Sequence, residues 1–202
     1  MTRRVGRREP RRLIVVVCEG EKTEPMYLKA VERHAPSSVL RFEILDEPST
    51  SPKQLVEAAC AVRRASAQAR RRTGDPNEEV DQVWCVFDVD EHAMIKAACE
   101  QARANDVRLA VSNPAIELWF LLHFQDQSAF LDRHAARRLL KTHIPAYDKR
   151  IEALDLLLDR FEQAATRARA LDTRHDANRT SFPDNNPSSG VYLLVEALGA
   201  TY

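Results

Sequence analysis

Residues 12–18, Arg-Leu-Ile-Val-Val-Val-Cys, form an unbroken apolar run rich in β-branched side chains, and residues 83–87, Val-Trp-Cys-Val-Phe, form a second. Runs that are apolar on both alternating faces belong to strands covered by helices on both sides, so both are expected as inner strands of a parallel sheet. Residues 39–45 and 107–111 carry two further strand patterns. Between the strands the spacing changes to the helical period. Met26, Tyr27, Ala30 and Val31 mark a helix over 24–34 behind a Thr23 cap; Leu55, Val56, Ala59 and Val62 mark a long one over 53–72, closed by Gly74, Asp75 and Pro76; residues 92–105 supply a third. This alternation predicts an α/β fold, a parallel sheet of about four strands flanked by helices. Residues 115–124 then read as a very apolar helix through Leu118, Trp119, Leu121 and Leu122. From Gln125 onward the period is wholly helical, with helices near 128–142, 149–171 and 188–198 and a polar loop over 172–186. The expected organisation is a core over 1–125 and a C-terminal helical extension over 126–202 packed on it, a single domain overall.

Charge changes the picture only locally. The 202 residues carry 30 Lys and Arg against 30 Asp and Glu, so no global basic character points to nucleic acid. Arg3, Arg4, Arg7, Arg8, Arg11 and Arg12 nevertheless crowd an N-terminal arm, and Arg63, Arg64, Arg70, Arg71 and Arg72 crowd one helix. Each run is either a solvated face or a phosphate-holding patch. Cys18, Cys60, Cys85 and Cys99 have no CxxC spacing and are expected as buried thiols, which fits a reducing cytoplasm. The six histidines show no zinc spacing. No secretory signal is expected, and no stretch approaches the roughly 18 apolar residues of a spanning helix. A cytoplasmic protein without a membrane partner is therefore expected.

Both inner strands end in acid. Glu19-Gly20-Glu21-Lys22-Thr23-Glu24 follows the first and Asp88-Val89-Asp90-Glu91-His92 the second. In open α/β sheets ligands bind beyond the carboxyl ends of the strands. If the two strands are neighbours, Glu19, Asp88 and Asp90 converge into a cluster that is costly unless a divalent cation neutralises it. Asp46 and Glu47 follow another strand as outer candidates. Glu117, an acid inside an apolar helix, either meets solvent or a backbone group or stands near the strand ends as a metal ligand or an orienter of one. Lys149 is either a solvated loop lysine or a cation for a developing phosphorane charge. No GxxxxGK[ST] loop is present, so the chain is not itself a P-loop ATPase. Asp88-x-Asp90 also opens the haloacid-dehalogenase phosphatases, but there the motif lies on the first strand and here on the third.

Glu19-Gly20 after one hydrophobic strand, with Asp88-x-Asp90 after a later one, resembles the Toprim signature of topoisomerases, bacterial primases and overcoming-lysogenization-defect nucleases. Four blocks in order are similar to the RloB-like family over nearly the whole chain: residues 18–24, Cys-Glu-Gly-Glu-Lys-Thr-Glu; 86–90, Val-Phe-Asp-Val-Asp; 112–119, Ser-Asn-Pro-Ala-Ile-Glu-Leu-Trp; and 186–189, Asn-Pro-Ser-Ser. Tyr147-Asp148-Lys149 matches a further Tyr-x-Lys block. The resemblance implies a Toprim-like sheet and a nuclease, dependent on Mg2+ or Mn2+, that hydrolyses phosphodiester bonds in DNA or RNA. In that reading Asp88 and Asp90 hold metal, Glu19 holds metal or takes a proton, Glu24 and Glu117 belong to the metal site, and Lys22 or Lys149 supports the scissile phosphate. The related nucleases carry Glu-Gly-x-Thr-Glu, and the stretch here is one residue longer. The resemblance also implies a setting in prokaryotic anti-phage defence beside an AAA or ABC-like ATPase, and leaves homo-oligomerisation open. Asn186-Pro187-Ser188-Ser189 is expected to cap the last helix. The competing reading is a Toprim-like module that binds nucleic acid or a partner protein without cutting.

Overall fold

The computed structural model describes residues 12–19, 23–35, 38–45, 51–75, 78–89, 95–148 and 154–199. The elements follow in the order β1 (Arg12–Glu19), α1 (Thr23–Glu32), β2 (Ser38–Leu45), α2 (Pro52–Thr73), β3 (Gln82–Asp88), α3 (Ile95–Ala104), β4 (Arg108–Asn113), α4 (Ile116–Leu122), α5 (Arg133–His143), α6 (Leu154–Leu158), α7 (Phe161–Ala177), β5 (Ser188–Ser189) and α8 (Val191–Leu198). The sheet runs β2-β1-β3-β4-β5, parallel except for β5. The expected α/β class with a Toprim-like parallel sheet is observed, with one strand more than the pattern predicts.

Strand alternation divides the core into two layers. Ile14, Val16 and Cys18 of β1, with Trp84 and Val86 of β3, join Tyr27, Leu28 and Val31 of α1 and the buried faces of α4 to α8. Val15, Val17, Val83, Cys85 and Phe87 face the other way, onto Leu55, Val56, Ala59 and Cys60 of α2 and Ala98 and Ala102 of α3. Every β-branched residue between Leu13 and Cys18 is thus buried on one face or the other, which is why the run lacks polar alternation. Cys18, Cys60 and Cys85 are buried free thiols and Cys99 is half-buried. Among the described residues no helix is long and apolar enough to cross a membrane.

Local sequence explains the ends of α2. Ser51 accepts a hydrogen bond from the Gln54 N–H at 3.4 Å, and the Gln54 side chain accepts from the Ser51 N–H at 2.8 Å, a capping box followed by Pro52. Gly74 closes the helix at φ +70°, a left-handed conformation that costs a side chain dearly, with its N–H on the Arg70 carbonyl.

The C-terminal part departs from expectation at several places, among them the start of α5 at Arg133 and not near 128. Asn186-Pro187-Ser188-Ser189 stops one residue short of the cap position: α8 starts behind Gly190, which offers no side-chain cap, although the Ser189 hydroxyl accepts from the Val191 N–H at 3.5 Å. Ser188 and Ser189 instead pair antiparallel with Asn113 and Ser112, the two buried serine hydroxyls 3.1 Å apart. The Gly190 N–H then donates to the Val111 carbonyl at 2.8 Å, which carries the pairing with β4 one residue further. The expected helix over 149–171 is interrupted at Asp159–Arg160, giving α6 and α7. Finally, α7 runs on to Ala177, through the start of the expected polar loop, with Asp172 accepting from the Tyr192 hydroxyl at 2.8 Å.

Candidate functional site at the carboxyl ends of the strands

β1 and β3 are neighbours, with Cys18 level with Val86, so Glu19 and Asp88 close adjacent parallel strands at the same end of the sheet. Asp88 is half-buried and sits beside Ser112 of β4, whose carbonyl accepts from the Val89 N–H at 2.8 Å. Strand alternation puts Asp88 on the side of Trp84 and Val86, the face that α1 and α4 cover. For Glu19 only the backbone is described. Lys22, Asp90 and Lys149, together with the outer candidates Asp46 and Glu47 and most of the N-terminal arm, lie outside the described residues. Among the described residues, no group of three or more His, Cys, Asp or Glu stands close enough to hold an ion.

The first turns of two helices add the other predicted acids. Glu24 opens α1, and its charge acts on two neighbours: it raises the Cys18 thiol, already pushed up to about 12 mainly by burial, and it contributes to the raised pKa of Tyr147. Glu117 lies in the first turn of α4, a helix whose seven residues are all buried. It is only 7% exposed, and its hydrogen-bond partner among the described residues is a side chain and not a backbone group. Its Oε1 accepts from the Tyr147 hydroxyl at 3.1 Å in a buried contact. Burial first, then the Glu117 charge and this hydrogen bond, hold the Tyr147 phenol protonated well above its usual range, so it stays a donor. Beyond it Arg137 of α5, 3.0 Å from Asp148, sends positive charge toward the same tyrosine.

Tyr147 is the residue that sequence reasoning missed. Its block was noticed for Lys149, but the contact with Glu117 spans 30 positions in sequence and leaves no periodic trace. Tyr147→Phe removes the donor from a carboxylate that is 7% exposed and should cost about 1–3 kcal/mol in denaturant unfolding. If the pair acts as a unit, Glu117→Leu, which leaves no acceptor, combined with Tyr147→Phe costs less than the sum of the single variants; strict additivity would show that the bond contributes nothing.

The arginines of α2 are not part of this end. α2 begins where the carboxyl end of β2 has been passed and runs back along the sheet, so Arg70 stands about 27 Å along the axis from Pro52. There Arg70 pairs with Glu79, just ahead of β3, while Arg63 pairs with Asp106 and donates to the Val80 carbonyl at 2.7 Å. These two cations brace α2 against the opposite end of the sheet.

The two Asn-Pro blocks do meet at the strand ends. Asn113, last in β4, donates to the Pro183 carbonyl at 2.8 Å and accepts from the Asn186 amide at 3.2 Å. Asn186 also clamps Leu131 through both of its backbone groups, at 3.1 and 2.9 Å. The blocks therefore lock the segment before α5 and the segment before β5 onto the end of β4. Comparison with curated proteins and with solved structures gives no match. The family model described as RloB-like protein, by contrast, matches residues 14–198, which span the strand-end acids, both Asn-Pro blocks and the Glu117–Tyr147 pair, and the chain belongs to the RloB-like family.

Proposed function

We propose that the chain is a metal-dependent Toprim-like nuclease that cleaves phosphodiester bonds in DNA or RNA, as the effector of a prokaryotic anti-phage defence system with a partner ATPase. The observation that carries this reading is the placement of Glu19 and Asp88 at the carboxyl ends of adjacent parallel strands, where open α/β sheets bind ligands. The donors are of the right chemistry. Mg2+ and Mn2+ take oxygen ligands and keep several waters, and Glu19, Glu24, Asp88 and Asp90 are all carboxylates. Asp88 is half-buried, hence reachable by both water and substrate. Asp88, Asp90 and Glu19, with Glu24 beside them, would hold the ion; Glu117, buried against Tyr147, is better suited to orient its neighbours than to ligate directly. When bound, a divalent ion supplies an activated water and neutralises charge on the phosphate.

The remaining roles belong to side chains. Where Glu19 does not ligate the ion it takes a proton from the attacking water, and Lys22 or Lys149 supports the developing charge on the scissile phosphate. The sequence has no phosphate-binding loop for ATP, which supports a separate ATPase subunit. The test is incubation of the purified protein with plasmid, single-stranded DNA and tRNA in Mg2+ or Mn2+, with and without the ATPase encoded beside it. Cleavage that chelator abolishes is expected. Binding without cutting in every combination would establish the non-catalytic alternative instead.

A further inference from the structure

We infer that α5 and the segment leading into it form the surface that holds the substrate, and that this substrate is single-stranded nucleic acid, its backbone running along α5 and a base stacked on Phe130. The inference deepens the nuclease reading, since it names the strand that would be cut, but binding in chelator tests it without any cutting.

The outward face of α5 is a continuous cationic stripe. At 100° per residue His134, Arg138 and Lys141 share the exposed side, with Arg137 half-buried and Arg133 exposed along its border, while Ala136 and Leu140 are buried on the other side. The helix has no acidic residue of its own. Two exposed acids stand at its margins: Asp132, the N-cap, and Asp148, paired with Arg137. Arg133 to Lys141 spans about 12 Å of helix, enough for more than one phosphate. α2 is equally rich in arginine, but it turns that end away from the acids and engages two of its cations in bracing contacts.

Phe130 is the second, independent observation. It is 78% exposed, the most exposed of the large apolar side chains described. Single exposed apolar residues are common. This one is held in place: its neighbour Leu131 is clamped through N–H and carbonyl by Asn186, which is bonded in turn to Asn113 at the carboxyl end of β4. An exposed aromatic ring carried next to an anchored backbone at the head of a cationic stripe is the arrangement that binds unpaired bases, because stacking needs a free π-face and duplex bases have none to offer. The stripe's other anchor also leads to the acids, through the ion pair of Arg137 with Asp148, the residue after Tyr147, and from Tyr147 to Glu117. Both attachments thus tie the surface to the end of the sheet where Asp88 stands.

Fluorescently labelled single-stranded oligonucleotides, the same sequence as a duplex, and one carrying abasic positions provide the probes, with binding measured in chelator across a salt series. Arg138→Gln with Lys141→Gln should lower the salt slope by about 1.4, at about 0.7 per lost phosphate contact on a single strand, and weaken binding accordingly. Phe130→Ala should weaken single-strand binding by about tenfold and leave the salt slope unchanged, and the abasic probe should reproduce that loss on the wild type. Equal binding by wild type and all variants, or duplex binding as tight as single-strand binding and indifferent to Phe130, overturns the inference. These failures are separable from failure of the nuclease reading. If the variants bind normally while Asp88→Asn stops cutting, only the surface is wrong; if they lose binding while Asp88→Asn cuts like the wild type, only the catalytic assignment is wrong.

Discussion

Asp88→Asn is expected to lower metal-dependent cleavage by roughly a thousandfold or more, about 4 kcal/mol at about 1.4 kcal/mol per tenfold, while the protein stays folded. The effect follows from position. Asp88 is the last residue of β3, half-buried, one strand away from the backbone of Glu19, and the amide keeps the shape of the carboxylate while removing its charge. A ligand that binds only the folded protein adds RT ln(1 + [L]/Kd), about 1.4 kcal/mol at roughly ten times Kd, so Mg2+ or Mn2+ should raise the melting temperature of the wild type and fail to raise that of Asp88→Asn. Glu19→Gln and Asp90→Asn should behave alike. Glu19, Asp88 and Asp90, converging as proposed, would repel one another without metal, and Asp90→Asn should then melt slightly above the wild type. Cutting at the wild-type rate by purified Asp88→Asn would remove this residue from the catalytic site, whatever the melting data show.

The elements legible in the sequence are those whose burial is periodic and local. β1 and β3 announce themselves because each side chain from Val83 to Phe87, and from Ile14 to Cys18, is buried in one of two layers. α2 is legible because Ser51, Gln54, Pro52 and Gly74 fix both ends within the helix's own neighbourhood. β5 is the opposite case. Two serines have no apolar period, and their partners Ser112 and Asn113 are more than 70 positions away, so the bond that defines the strand is invisible until the chain has folded. The last turns of α7, Asp172 to Ala177, look like loop because they are polar, yet most of them face water on the surface of a helix that Leu171 and the Asp172–Tyr192 bond hold down. In the candidate site the acids that end strands were legible as types at positions. What was not legible was which end of each arginine-rich helix points toward them. α5 carries its cations close to Tyr147 and Glu117, and α2 carries its own away, a difference decided by chain direction in three dimensions and not by composition.

Acid should destabilise the protein by up to about 3 kcal/mol between pH 6.5 and 4 through one residue, His123. Its pKa falls from 6.5 to about 4, chiefly because it is buried, with the charges of Arg167 and Arg160 adding to the shift. The backbone hydrogen bonds to Trp119 and Phe120 act the other way and favour the charged ring, but burial outweighs them, and the surroundings of the second nitrogen add to its effect. Nδ1 lies 2.9 Å from the Trp119 carbonyl and donates to it, which leaves Nε2 unprotonated; Nε2 is buried and has no hydrogen-bond partner among the described residues. A second proton would therefore create a buried N–H+ with nothing to receive it. In the unfolded chain the ring protonates below about pH 6.5, so there the unfolded state binds a proton that the folded state refuses, and stability rises with pH across this window. The full contribution is present above pH 6.5 and is lost as pH falls toward 4. His123→Gln cannot titrate and should flatten this part of the unfolding curve, measured by urea denaturation at several pH values. The same slope in wild type and variant would place the acid sensitivity elsewhere. Because His123 directly follows α4, whose first turn carries Glu117, acid should loosen the helix that supports the candidate site, and hydrogen exchange in α4 should accelerate before that in β1.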